Sequence, residues 1–74
     1  MPFIQVNVIE DVFTPEQKSQ MITRLTDAMV SVEGENMRAV TWCVIHEVAS
    51  GDWGIAGNAL TTADVRALAA GAGV

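Results

Sequence analysis

Tyrosine is absent from these 74 residues, cysteine and histidine occur once each, and lysine and arginine together occur only four times. Each scarcity closes a class of function. A lone cysteine, Cys43, forms no intrachain disulfide. With the single histidine, His46, it supplies too few ligands for a structural zinc site. The cations Lys18, Arg24, Arg38 and Arg66 are scattered among nine Asp/Glu, for a net charge of −5. Nucleic acids and anionic membrane surfaces are bound by clustered positive charge, so neither is an expected partner. No apolar run approaches the roughly 20 residues of a bilayer span. The chain start shows no basic segment followed by an apolar stretch, the pattern of a secretory signal. A single reduced cysteine suits the cytoplasm, the expected location.

What the sequence does hold is apolar side chains, 50% of the total. A single domain spanning residues 1–74 is expected. A chain of this size buries only about 60% of the surface that its unfolded form exposes, and small domains make up the difference with disulfides, metals or partners. With the first two excluded, oligomerisation remains.

Residues 3–9 alternate, with Ile4, Val6 and Val8 on one face and Phe3, Gln5, Asn7 and Ile9 on the other, which predicts a strand. Thr14-Pro15-Glu16-Gln17 is a helix start: a threonine cap, proline at the first helical position and glutamine closing a capping box. Ile22, Leu25, Met29 and Val32 mark the expected apolar stripe, and Gly34 the helix end. A second strand is expected over residues 39–48, apolar on both faces and parallel to the first through a right-handed crossover. One helix covers only one sheet face, so the other is expected to meet another subunit. Residues 49–60 are glycine-rich and predict turns with a short hairpin. Thr61 to Asp64 opens a short helix with Val65, Leu68 and Ala69 on its apolar side, and residues 71–74 are expected to fray.

Among candidate chemical groups, Cys43 and His46 stand three apart, an odd separation that puts them on opposite faces of a strand. They serve as no ligand or catalytic pair, and a core cysteine and a rim histidine are the expected roles. Gly51, Gly54 and Gly57 do not have the dinucleotide-binding spacing and read as turn residues. Trp42 and Trp53 fit either subunit packing or the wall of a small-molecule pocket. Pro2 carries more chemistry. Removal of Met1 would leave a secondary amine, whose pKa falls in an apolar pocket until it works as a base or nucleophile near neutral pH. With Met1 retained, the same nitrogen is an amide and has no such chemistry.

In order and spacing, the chain resembles the 4-oxalocrotonate tautomerase family of the tautomerase superfamily. The resemblance rests on the Met-Pro start, the first strand ending at Glu10, Glu16-Gln17-Lys18 opening the helix, Glu47 closing the second strand, and Gly51-Asp52-Trp53-Gly54-Ile55-Ala56-Gly57. It implies an α+β fold: a β-α-β protomer with parallel strands, a short hairpin and a short C-terminal helix, assembled as a homo-oligomer, most often a hexamer built as a trimer of dimers. It also implies an isomerase that uses no cofactor and no metal. Pro2 would be the catalytic base, interconverting enol and keto forms of a small 2-keto acid or related carbonyl compound. Trp53 matches the aromatic residue that keeps the site apolar.

Two family arginines are missing. The loop after the first strand, Asp11-Val12-Phe13, has none, and Trp42 stands at the second position. Both losses argue against a dicarboxylate substrate and for a more apolar one. Trp42, Trp53 and Phe13 are the expected pocket lining. Arg38, about 13 Å from Trp42 if the intervening chain is extended at 3.3 Å per residue, is a substrate-binding candidate only from a neighbouring subunit, which could present Arg66 instead. Two alternatives share the fold: a proline-dependent hydratase, dehalogenase or decarboxylase, with Glu47 or Asp52 activating water, and a non-catalytic ligand-binding oligomer.

Overall fold

Strand β1 (Phe3–Ile9) pairs in parallel with β2 (Trp42–Val48), with Phe3 opposite Trp42, Val6 opposite Ile45 and Ile9 opposite Val48. The ladder continues one bond past each end: Trp42 N donates to Pro2 O and Glu10 N donates to Val48 O. A computed structural model describes residues 1–71; the remainder of the expected frayed end, residues 72–74, lies outside the described residues. Between the strands runs α1 (Pro15–Glu33), capped by the predicted box, in which Thr14 accepts from Gln17 N and the Gln17 side chain accepts from Thr14 N. The helix stops at Gly34, whose φ of 102° is open to glycine and strained for other residues.

The second strand starts later than its alternation predicts. Residues Glu35–Val40 form a 3-10 turn, and β2 begins at Trp42. Polar contacts account for the turn: Arg38 pairs with Glu35 and Asp27, and the Thr41 hydroxyl reaches back to Met37 O. The apolar stripe is also turned from its expected phase. Leu25 and Met29 face the sheet as expected, but Ile22 is 39% and Val32 86% exposed, while Met21 is half-buried and Val30 buried. Hydrogen bonds at both ends of the helix hold this phase. Lys18 donates to Glu47, and Glu33 accepts from Thr41, each pinning α1 to the β2 side.

A hairpin follows, β3 (Trp53–Ile55) and β4 (Asn58–Leu60), joined by Ala56-Gly57 at φ 52° and 81°. Positive φ at both central residues defines the type I′ turn, which matches strand twist. Helix α2 (Thr62–Ala69) carries a second capping box between Thr61 and Asp64. It is tied to the end of β1 by Thr62 Oγ1, which donates to Glu10 O, and by the Arg66 guanidinium, which donates to Asp11 O.

The protomer leaves much apolar surface uncovered. Helix α1 covers the face of Ile4, Val6, Cys43 and Ile45, whereas Phe3 and Trp42 on the opposite face are each 56% exposed. Only Ile9 and Val30 are buried apolar residues among those described. The radius of gyration is 15.0 Å, against about 11 Å for a globule of this length. Low burial, exposed apolar area and an extended shape go together in this chain.

Candidate active site

Pro2 stands at the head of β1, held there because its carbonyl accepts from Trp42 N at 3.0 Å. Trp42 and Phe3 face each other across the two strands, their rings 6.5 Å apart at 77° in the edge-to-face arrangement that aromatic pairs favour. Met1, Pro2, Phe3 and Trp42 line a cleft of about 290 Å³. A second cleft of about 300 Å³ lies where the hairpin, α2 and the loop after β1 meet. Phe13 and Trp53 belong to it, together with Val12, Leu60 and Val65. Asp11, at φ 60°, and the Arg66 grip on its carbonyl set the course of this loop.

The expected pocket lining is therefore divided. Pro2 and Trp42 share one cleft, and Phe13 and Trp53 share the other. Six residue steps along β1, about 20 Å at 3.3 Å per step, separate the two ends. Among the described residues, no lysine or arginine lines either cleft. Arg38 donates to Asp27 at 2.7 Å and to Glu35 at 2.8 Å. Those bonds, Glu35 first, push the guanidinium pKa further up, and the Arg38 bond holds the Glu35 carboxyl below its usual range. The 3-10 turn also shortens the path from Arg38 to Trp42 relative to an extended chain, since it rises about 2 Å per residue.

The remaining polar candidates stand elsewhere. Glu47 is paired with Lys18 at 2.8 Å, and the Lys18 hydrogen bond holds its carboxyl below the usual range. It lies opposite Val8, at the far end of the sheet from Pro2. Asp52 is an exposed turn residue whose N–H donates to Ala49 O. Cys43 is half-buried against α1, opposite Ile4, and His46 is exposed on the other face, opposite Asn7. Sequence patterning missed Glu33, whose carboxylate turns inward to the Thr41 hydroxyl. The available signal was its position four residues after Met29, on the same side of the helix.

A β-α-β protomer with parallel strands, a type I′ hairpin and proline at the head of its first strand defines the tautomerase fold class. Comparison with known proteins agrees. Residues 2–63 match the family model described as "Tautomerase enzyme". Over 61 residues the chain is 39% identical to the probable tautomerase K2 of Dickeya dadantii, covering 82% of this chain and 90% of that one. The solved structure of DmpI from Helicobacter pylori superposes with a TM-score of 0.70 at 34% identity, covering 80% of this chain and 95% of that one. A structure from work on the 4-oxalocrotonate tautomerase isozymes of Methylibium petroleiphilum gives 0.71 at 33% identity, over 86% and 97%. The chain belongs to the tautomerase family, and its fold is that of the 4-oxalocrotonate tautomerase group.

Proposed function

We propose that this protein is a cofactor-independent keto–enol tautomerase of small, largely apolar carbonyl compounds, a 2-keto acid among them, and that the amine of Pro2 is its general base once Met1 is removed. The observation that carries this reading is Pro2 in an apolar aromatic cleft, in a chain of the tautomerase family. Desolvation disfavours the charged ammonium, so the free amine is populated nearer neutral pH. It then takes a proton from the carbon beside the substrate carbonyl and gives it to the carbonyl oxygen, forming the enol; in the reverse sense it takes the enol hydroxyl proton and gives it to that carbon.

The working site is shared between subunits. Trp53 and Phe13 stand too far from Pro2 to join it within one protomer. A second copy running antiparallel brings its hairpin end to the first copy's Pro2 end and covers the open sheet face. A hexamer built as a trimer of dimers satisfies both demands. Neither carboxylate named for water activation stands at Pro2 within the protomer: Glu47 is engaged by Lys18 at the opposite end of the sheet, and Asp52 is exposed just before the hairpin.

Ketonisation of phenylenolpyruvate, measured with protein whose intact mass shows Met1 absent, tests the assignment. Retaining Met1, which makes the Pro2 nitrogen an amide, removes the base and lowers the rate by about 10²–10⁴. Equal rates in the two proteins would remove Pro2 from the mechanism.

A further inference from the structure

Among the described residues, the buried side-chain oxygen left with no hydrogen-bond partner is Oε1 of Glu33, at the end of α1. Buried polar atoms in native proteins have partners, either a protein donor or an ordered water, and Oε1 is open to one of them. The sister oxygen, Oε2, lies 2.5 Å from the Thr41 hydroxyl, which also lies 2.8 Å from Met37 O. That hydroxyl has one hydrogen and serves one acceptor at a time. Glu33 is thus a carboxylate with one shared donor and room for another.

The register places a donor beside it. Phe3 pairs with Trp42, and Trp42 N donates to Pro2 O, so Thr41 stands across from Pro2. Neighbouring strands lie about 4.8 Å apart. Thr41 turns towards α1, as its contact with Glu33 requires. Side chains alternate along a strand, which puts the Pro2 ring on the side of Ile4 and α1, at the sheet edge where Pro2 also borders the cleft of Phe3 and Trp42. With Met1 attached, the Pro2 nitrogen has no hydrogen to donate. With Met1 removed, it is a secondary ammonium carrying two.

The other charged groups are committed or distant. Arg38, on the 3-10 turn, holds Asp27 and Glu35, and Lys18 holds Glu47 at the far end of the sheet. Arg66 is bound to Asp11 O. Arg24 precedes Glu33 by nine residues of α1, two and a half turns at about 3.6 residues per turn, and so faces the opposite side. Cys43 is the titratable side chain that follows Thr41 on the same face of β2.

We propose that Glu33 is a positioning residue for the amino terminus: with Met1 removed, its Oε1 accepts a hydrogen bond from the Pro2 ammonium, fixes that nitrogen at the cleft and holds its proton to higher pH. The inference rests on the Pro2 chemistry proposed above and adds its regulation. The apolar cleft drives the proton off, and the carboxylate opposes it. The free amine takes the enol hydroxyl proton, Glu33 holds the resulting ammonium in place, and the ammonium gives that proton to the enol carbon, which restores the amine.

The test is an NMR titration of the Pro2 amine in ¹⁵N-proline-labelled protein whose mass shows Met1 absent. Pro15, the chain's other proline, is an amide and does not titrate. Glu33→Gln keeps shape and removes charge, and is expected to lower the midpoint by about one to three pH units. Thr41→Val frees the carboxylate from its competing hydroxyl and is expected to leave the midpoint unchanged or raise it. A merely structural role would move both variants downward together, and that outcome overturns the proposal. A Glu33→Gln midpoint equal to wild type overturns it as well. Should Glu33→Gln not fold, Thr41→Val decides alone, with a fall counting against the contact. Because the titration needs no turnover, an inactive protein would defeat the tautomerase reading while the Glu33–Pro2 contact was still measured.

Discussion

Replacing Trp42 by alanine tests whether the open sheet face is a subunit interface. Trp42 is 56% exposed in the protomer. Of the roughly 250 Å² that a tryptophan side chain buries at most, this leaves about 140 Å² for a partner to cover. At about 25 cal/mol per Å², full coverage contributes about 3.5 kcal/mol per subunit. Allowing for the area that alanine retains, about 3 kcal/mol is lost, or about 10² in the association constant for each copy in the contact. Sedimentation equilibrium over a dilution series reads this directly, because the protomer mass is 7.9 kDa. The variant should dissociate at concentrations at least about 10² higher than wild type. Its far-ultraviolet circular dichroism at high concentration should match wild type, since Trp42 supports no core contact of α1. Identical dissociation profiles would refute the placement of this face in an interface. So would a wild-type protein that stays folded as a 7.9 kDa monomer at every concentration.

Subunit mixing tests the shared site: Met1-retaining chains and Met1-free Trp53→Ala chains, co-refolded in equal amounts, should recover about a quarter of wild-type sites if each site takes the two residues from different copies. A site within one protomer would recover none. Thr14→Ala removes the cap of α1 and should cost about 1 kcal/mol in urea denaturation. Glu47 has a folded-state pKa depressed by Lys18, so its pairing stabilises the protein above the unfolded pKa and is lost as pH falls through the folded one. Between about pH 5 and pH 3 the Tm of wild type should therefore fall more steeply than that of Glu47→Gln. Ala56 holds a φ of 52° in the hairpin turn, and Ala56→Gly should raise stability by about 0.5–1 kcal/mol, read as a higher Tm.

Local chemistry was legible in the sequence, and tertiary phase was not. The capping box of α1 and the start of α2 at Thr61 appear as predicted, because a threonine and a side chain three residues on need only each other. The hairpin is visible for the same reason, in its glycine spacing. The start of β2 was hidden because residues 39–41 alternate like a strand, while the turn that replaces it depends on Arg38 meeting Asp27, eleven residues earlier. The inward face of α1 was set by Lys18 with Glu47 and by Glu33 with Thr41, pairs that exist only after the helix docks. Pro2, Trp42, Trp53 and Phe13 were identifiable as site candidates. Their division between two ends of the protomer was not, since it follows from the length of β1 and the placement of the hairpin.

A free Pro2 amine is the proposed base, and the two forms of the amino terminus differ in that group alone. Ketonisation of phenylenolpyruvate should be compared, at equal concentration and equal oligomeric state, between protein with Met1 removed and protein with Met1 retained. Catalysis is expected from the first and a rate lower by about 10²–10⁴ from the second, whose Pro2 nitrogen is an amide. Equal rates for the two forms would rule out Pro2 as the base.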